Sequence, residues 1–280
     1  MTEKKDNIKL YVCGTPIGNL EDITLRTLRI LKEVDFIACE DTRVSRKLLN
    51  KYEIQKELIS YHEHNKDEAG PRIIERLQSG ESCALVSDAG MPGINDPGSD
   101  LIRDCQREEI KYSVLPGPSA FLTALIFSGM KNEKFTYVGF FPRDNAGKKE
   151  VQVFLEKEEA TIIFYESPHR IQKTVEFFAD KFPERKIALV REISKIYEEM
   201  ISGSSIEVKA KIEDRVLKGE FVIIVEGKEK SEEKAFSDEE LDKLFNNLLD
   251  EGLRKKEVMQ RVVEISGHSK NDIYQKFMIK

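Results

Sequence analysis

Between Leu10 and Gly129 short strand-like runs alternate with segments of helical period, and this alternation constrains the fold more than any other feature. LYVCG (10–14), DFIACED (35–41), CALVSDAG (83–90) and YSVLPG (112–117) are β-branched or apolar runs stopped by glycine or charge. Between them lie LRTLRILKEV (25–34) with Thr24 as cap, VSRKLLNKY (44–52), a helix through 71–77 ending near Gly80, and LIRDCQREE (101–109). SAFLTALIFSG (119–129) closes the series as a very apolar helix, expected to be well buried. Strands alternating with helices of this length require crossover connections and give a mostly parallel sheet.

After a charged break at 130–134 a second series follows: FTYVGFF (135–141), a helix at 151–159, TIIFYES (161–167), a helix at 171–181, and KIALVRE (186–192). Residues 197–212 alternate as antiparallel strands do, and EFVIIVEG (220–227) closes the series, so a mixed sheet is expected. GKEKSEEKAFS (227–237) has almost nothing to bury and reads as a linker. Helical segments at 239–249, 255–265 and 271–278 follow, the last two joined by SGHS as in a helix-turn-helix unit. The expected division is an N-terminal α/β domain (1–130), a C-terminal α/β domain (131–230), and a linker with a small helical module (231–280).

Composition narrows the function classes. The chain has 280 residues, 34% of them charged, and a formal net charge of −6, which excludes a general polyanion binder. Residues 252–280 nevertheless carry +4, leaving −10 for the rest, so basic charge is concentrated in the tail. Arg254, Lys255, Lys256, Arg261 and Lys270 supply it. No uncharged apolar run reaches membrane-spanning length, and the charged opening MTEKKDNIKLYV does not read as a secretory signal. Cys13, Cys39, Cys83 and Cys105 show neither CxxC nor histidines at ligand spacing; buried thiols in a reducing cytoplasm are expected, with no metal site.

Three loops carry the chemistry: GTPIGN (14–19), SDAGMPGINDPG (87–98) and PGPSA (116–120). Each follows a strand and precedes a helix, and in an open parallel sheet such loops converge on one ligand crevice. They match neither GxGxxG nor GxxxxGK[ST], so a dinucleotide fold and a P-loop are excluded. Polar loops at further strand ends add EDTR (40–43), SYHEHN (60–65), SPHR (167–170) and REISKIYEE (191–199). Glu40 and Asp41 read either as base and positioning groups or as acidic helix caps.

These motifs, with KLYVCGTPIGNLEDITLRTLRILKEVDFIACEDTRVSRKLL, LPGPSA, FFPR (140–143), FYESPHR (164–170) and GEFVIIVEG, run in order along nearly the whole chain. They resemble the ribosomal RNA small subunit methyltransferase I family, within the tetrapyrrole methylase (class III, S-adenosylmethionine-dependent) superfamily. The resemblance implies two α/β domains of the tetrapyrrole methylase type with the ligand cleft between them, plus a small C-terminal helical module. It further implies a cytoplasmic homodimer that methylates a cytidine ribose 2′-hydroxyl in the decoding region of 16S rRNA of the small subunit, with S-adenosylmethionine as donor. Carried over residue by residue, the donor site comprises Pro16, Ser87, Asp88, Met91, Gly93, Ser119, Ala120, Tyr165, Glu166 and Ile193. Where relatives read GDP in the second loop, this chain reads SDAG with a longer continuation.

Glu40, Arg43, His62, Asn65, Arg170 and Arg191 are the candidate substrate contacts, and Asp41, Lys195 and Glu198 the candidate catalytic groups. Methylation of a tetrapyrrole or another small molecule is the alternative within the same fold, and a DNA-binding regulator the alternative outside it. The EDTR, YHEHN and YESPHR likenesses and the basic tail argue against the small-molecule reading. Helix-turn-helix architecture on its own is weak evidence for the DNA-binding one; neither DNA nor a membrane is an expected partner.

Overall fold

In a computed structural model describing residues 7–228 and 236–278, the first series forms a five-stranded, all-parallel sheet. Its strands are β1 (Leu10–Cys13), β2 (Phe36–Cys39), β3 (Glu57–Ser60), β4 (Cys83–Val86) and β5 (Tyr112–Leu115), in the order β3-β2-β4-β1-β5. The helices are α1 (Leu25–Glu33), α2 (Thr42–Lys51), α3 (Lys66–Gln78) and α4 (Gly98–Arg107). Side chains alternate between the two faces, as the pleat dictates. Leu10, Val12, Phe36, Ala38, Cys83 and Leu85 meet α3 and α4, whereas Cys13, Ile37, Cys39, Ala84 and Val86 meet α1 and α2. Because β1 and β4 are neighbours that feed helices on opposite faces, a crevice opens between their carboxyl ends.

Strand β3 falls where no strand is expected from the sequence: ELIS is half-buried, at an edge, with charges before it. Thr24 caps α1 as expected, its hydroxyl accepting the Thr27 N–H at 3.0 Å. All four cysteines are free and buried, and burial pushes the Cys13 and Cys105 thiols up to about 12.

The second sheet is mixed, in the order β6-β7-β10-β8-β9, with only β6 and β7 parallel. It comprises β6 (Phe135–Phe140), β7 (Thr161–Glu166), β8 (Lys186–Arg191), β9 (Glu199–Ser204) and β10 (Phe221–Val225). The fully buried β10 pairs on both sides, Ile223 with Phe164 and with Leu189. One face is covered by α6 (Asn145–Leu155), α7 (Ile171–Lys181) and α8 (Ser205–Ile212). Helix α8 corrects the expectation of strands through residue 212. Ser204 and Glu207 form a reciprocal capping box, so local hydrogen bonding overrides the alternating pattern.

The other face receives α5 (Ala120–Ser128), which thus joins the second sheet although it precedes residue 130. Only Ala124 and Leu125 of α5 are buried; Leu122, Ile126 and Phe127 face outward, Ile126 at 72% exposure. The helix is therefore not enclosed as expected, because a helix lying on one sheet buries a single stripe.

Beyond Gly227 the described residues form a separate compact unit. It contains α9 (Asp238–Asp250), α10 (Lys255–Ser266) and α11 (Lys270–Met278) around Leu241, Phe245, Val258, Val262 and Ile273. Most of the charged 227–237 segment lies outside the described residues. Among the described residues no helix is long and apolar enough to cross a membrane.

Phe164 is fully buried, with the rings of Phe141 and Phe178 at 5.5 and 6.2 Å. Phe164→Ala is expected to cost about 3–5 kcal/mol of stability, read as a lower midpoint of urea denaturation.

Candidate active site

The three glycine- and proline-rich loops meet at the crevice. Thr15 and Gly90 exchange two backbone hydrogen bonds (2.9 and 3.0 Å), and the Thr15 hydroxyl donates to the Ser87 carbonyl at 3.0 Å. The first and second loops are thereby stitched across β1 and β4. The third joins by close approach: a Cβ on Gly14 would lie 2.8 Å from Met91 Sδ and 3.0 Å from Gly117 Cα. Only glycine permits that contact. Pro16, Ser87, Met91 and the Ser119–Ala120 start of α5 therefore belong to one cluster, with the Pro118 carbonyl beside Gly90. Beyond Met91 the loop folds on Asp96, whose Oδ1 accepts the Gly93 and Gly98 N–H groups at 2.8 and 2.7 Å.

Acidic groups gather at the same edge. Asp88 Oδ1 accepts the Asp41 N–H at 3.0 Å, tying the end of β2 to the β4 loop. Burial raises the carboxyls of Glu40, Asp88 and Asp96, and Asp88 adds to the rise at Glu40. Asp41 differs. It caps α2 by accepting the Arg43 N–H at 2.8 Å and pairs with the Arg43 guanidinium at 2.6 Å, which holds its carboxyl down at about 2. His62 adjoins this edge with its Nδ1 buried and without a hydrogen-bond partner.

The second sheet closes the crevice. Ile17 from the first loop packs against the apolar cluster that contains Ile193 and Leu125 and is also flanked by Ala120 and Tyr165. Tyr165 lies against Tyr137 (ring centroids 5.4 Å) and Phe140 (5.6 Å), and Tyr137 stacks on Phe121 at 4.6 Å. Asn95, in the second loop, donates from Nδ2 to the Tyr137 hydroxyl. Burial raises both phenols. Neither Asn95 nor Tyr137 is among the sequence candidates. Their only sequence signal is that one sits in the second loop and the other on an aromatic strand, and neither marks a pair 42 residues apart.

Several candidates are occupied by internal partners instead. Glu166 is buried, accepting from the Thr174 hydroxyl (2.6 Å) and the Ser167 N–H (2.7 Å). Arg170 donates to the Phe141 and Pro142 carbonyls, both at 2.9 Å. Arg191 is paired with Glu199 at 2.6 Å, and Asn65 braces its own turn through the His62 N–H and the Ser60 carbonyl. Lys195 pairs with Glu192 at 3.0 Å, and Glu198 accepts the Ser194 N–H at 2.7 Å. Among the described residues no group of three or more His, Cys, Asp or Glu side chains could hold a metal ion.

Residues 9–209 match the sequence profile of the Tetrapyrrole (Corrin/Porphyrin) Methylases. A protein of Halalkalibacterium halodurans named Ribosomal RNA small subunit methyltransferase I is 42% identical over 275 residues, covering 97% of this chain and 95% of that one. The chain belongs to this family. A Thermotoga maritima member of the same name is 42% identical over 221 residues, 79% of this chain and 99% of its own. The solved structure of a diphthine synthase shares the fold at a TM-score of 0.62 and 17% identity, covering 79% of this chain and 90% of that one.

Glu40 gives the family's crevice a pH signature. A carboxyl whose folded pKa lies above its ordinary 4.5 favours folding while protonated, and that contribution is lost as pH rises through the raised value. Glu40→Gln should therefore raise the melting temperature at pH 7. The gain should vanish near pH 4, where both folded and unfolded Glu40 are largely protonated.

Proposed function

We propose that this chain transfers a methyl group from S-adenosylmethionine to the ribose 2′-hydroxyl of a cytidine in the decoding region of small-subunit rRNA, in the cytoplasm. The observation that carries the reading is the near-full-length likeness to relatives named for that RNA, whose match spans the loops that form the crevice. The chain is a methyltransferase of the tetrapyrrole methylase type, and the donor fits what the crevice offers. S-adenosylmethionine bears an ammonium and a sulfonium; the raised carboxyls of Asp88 and Glu40 give the crevice the complementary sign. Pro16, Ser87, Asp88, Met91, Gly93, Ser119 and Ala120 would line its first-sheet side. Tyr165 and Ile193 would cover its second-sheet side, with Glu166 holding the strand end from beneath.

When bound, the donor supplies an electrophilic methyl for in-line displacement by the ribose oxygen. The chain's own groups then have three tasks: to orient the hydroxyl, to exclude water, and to accept its proton. Glu40 suits the last task better than Asp41, because a carboxyl held near 2 by Arg43 is a weak proton acceptor at neutral pH. Asp41, Lys195 and Glu198 are read as positioning groups, Asp41 through Arg43 and the other two through the β8–β9 loop. Arg43 and His62 face the substrate side of β2 and β3, whereas Asn65, Arg170 and Arg191 keep the surrounding loops in shape. The outward apolar stripe of α5 (Leu122, Ile126, Phe127) is where a second copy of the chain would pack in a homodimer.

Labelled methyl transfer to small ribosomal subunits lacking native modification, followed by nucleoside analysis, tests the reading. The expected product is 2′-O-methylcytidine. Donor binding without transfer to subunits or RNA would overturn it.

A further inference from the structure

Two large apolar side chains stand in water at the rim of the crevice. Ile196 is 95% exposed and Tyr197 74%, at the two central positions of a turn closed by the Glu198 N–H on the Lys195 carbonyl at 3.1 Å. Such positions ordinarily take Asn, Asp, Gly or Ser. A flexible loop would fold these side chains back against the protein, but this one is braced on several sides. Glu198 accepts the Ser194 N–H at 2.7 Å, and the Ser194 hydroxyl donates to Asp22 in the short 3-10 turn Leu20–Asp22. Gly18 approaches so closely that a Cβ there would lie 2.5 Å from the Ile193 carbonyl and 2.7 Å from Lys195 Cγ. Glu192 and Ser194 both hold left-handed backbone angles (φ 50° and 65°), a strained conformation for non-glycine residues that persists only where the surroundings impose it. Leu20 (41% exposed) lies in the same 3-10 turn as Asp22, and Leu25 (86%) opens the helix that follows it.

We propose that this tip is a stacking platform for an unpaired base of the RNA next to the target nucleotide, with the Tyr197 ring as the stacking face and Ile196 and Leu25 as its apolar border. The inference rests on the rRNA reading and deepens it. Sequence-specific recognition of RNA uses splayed bases stacked on aromatic side chains, beside cations that hold the phosphates. The cations are supplied by α2, on the first sheet. Arg43, Arg46 and Lys47 line a groove on α2 with Thr42 and Asn50, and among the described residues Arg46 and Lys47 form no ion pair. The Tyr52 hydroxyl at the end of α2 donates to the Leu20 carbonyl at 2.6 Å, so the basic helix is continuous with the rim that carries the tip. The tip's own cation is engaged, Lys195 with Glu192, so Arg46 and Lys47 on α2 are the cations left to hold phosphates. An exposed ring with cations on a connected helix suits a nucleic-acid strand better than a hydrophobic protein partner.

Tyr197→Ala and Tyr197→Phe, each in the full chain, test the proposal by methyl-transfer kinetics on unmodified small subunits. Tyr197 supports no core, so folding is not at issue. Tyr197→Ala is expected to raise the KM for subunits about tenfold, while kcat and the donor Kd stay within about twofold. Tyr197→Phe, which keeps the ring and removes only the hydroxyl, is expected to match the unmodified chain. An unchanged KM in Tyr197→Ala, or a Tyr197→Phe variant as impaired as Tyr197→Ala, would overturn the stacking role. A changed oligomeric state of Tyr197→Ala by light scattering would assign the tip to contact between copies and overturn it as well. Absence of transfer by the unmodified chain would remove the rRNA reading itself, a failure distinguishable from the others because it precedes any substitution.

Discussion

Two backbone hydrogen bonds between Thr15 and Gly90 hold the crevice together. They join the loops of β1 and β4 at the point where the chain begins to wind in opposite directions, so neither loop can move without the other. The Thr15 hydroxyl on the Ser87 carbonyl adds a third tie, and the contact of Gly14 with Gly117 brings in the β5 loop. Parallel strands deliver the three loops to one edge, but these contacts turn three neighbouring loops into a single surface. The glycines there are needed for closeness; backbone lies where side chains would stand.

The second sheet completes the crevice by two separate bridges. One is apolar, with Ile17 packed against the cluster that holds Ile193. The other is polar, running from Asn95 to the hydroxyl of Tyr137, whose ring lies against Tyr165. Between them the carboxyls of Glu40, Asp88 and Asp96 are kept in partly desolvated surroundings, which suits a cationic donor better than a neutral ligand. Arg43 offsets that charge only in part at Asp88, because its direct partner is Asp41.

The sheets were legible in the sequence because period and glycine stops are local signals. All three chemistry-bearing loops and the mixed character of the second sheet follow from such signals. Strand β3 was not legible: four half-buried residues at a sheet edge carry too little pattern. Helix α8 was misleading because a capping box at Ser204 decides it, and the exposure of α5 was hidden because an apolar run does not say what covers it. Polar residues are harder to read. Arg170 ends on carbonyls 28 and 29 residues away, and Glu166 on a threonine of the next helix. Residue type alone does not reveal these internal partners, which only the fold brings within reach. Conversely, Asn95 and Tyr137 gain meaning only as a pair.

The central claim is that the donor sits where the β1, β4 and β5 loops are tied together beneath Tyr165 and Ile193. A crystal structure of the chain with S-adenosylhomocysteine tests it most directly. The account predicts the ligand in contact with residues of all three loops, 14–19, 87–93 and 116–120, with Tyr165 or Ile193 over it. A ligand bound away from the Thr15–Gly90 bridge would contradict the account.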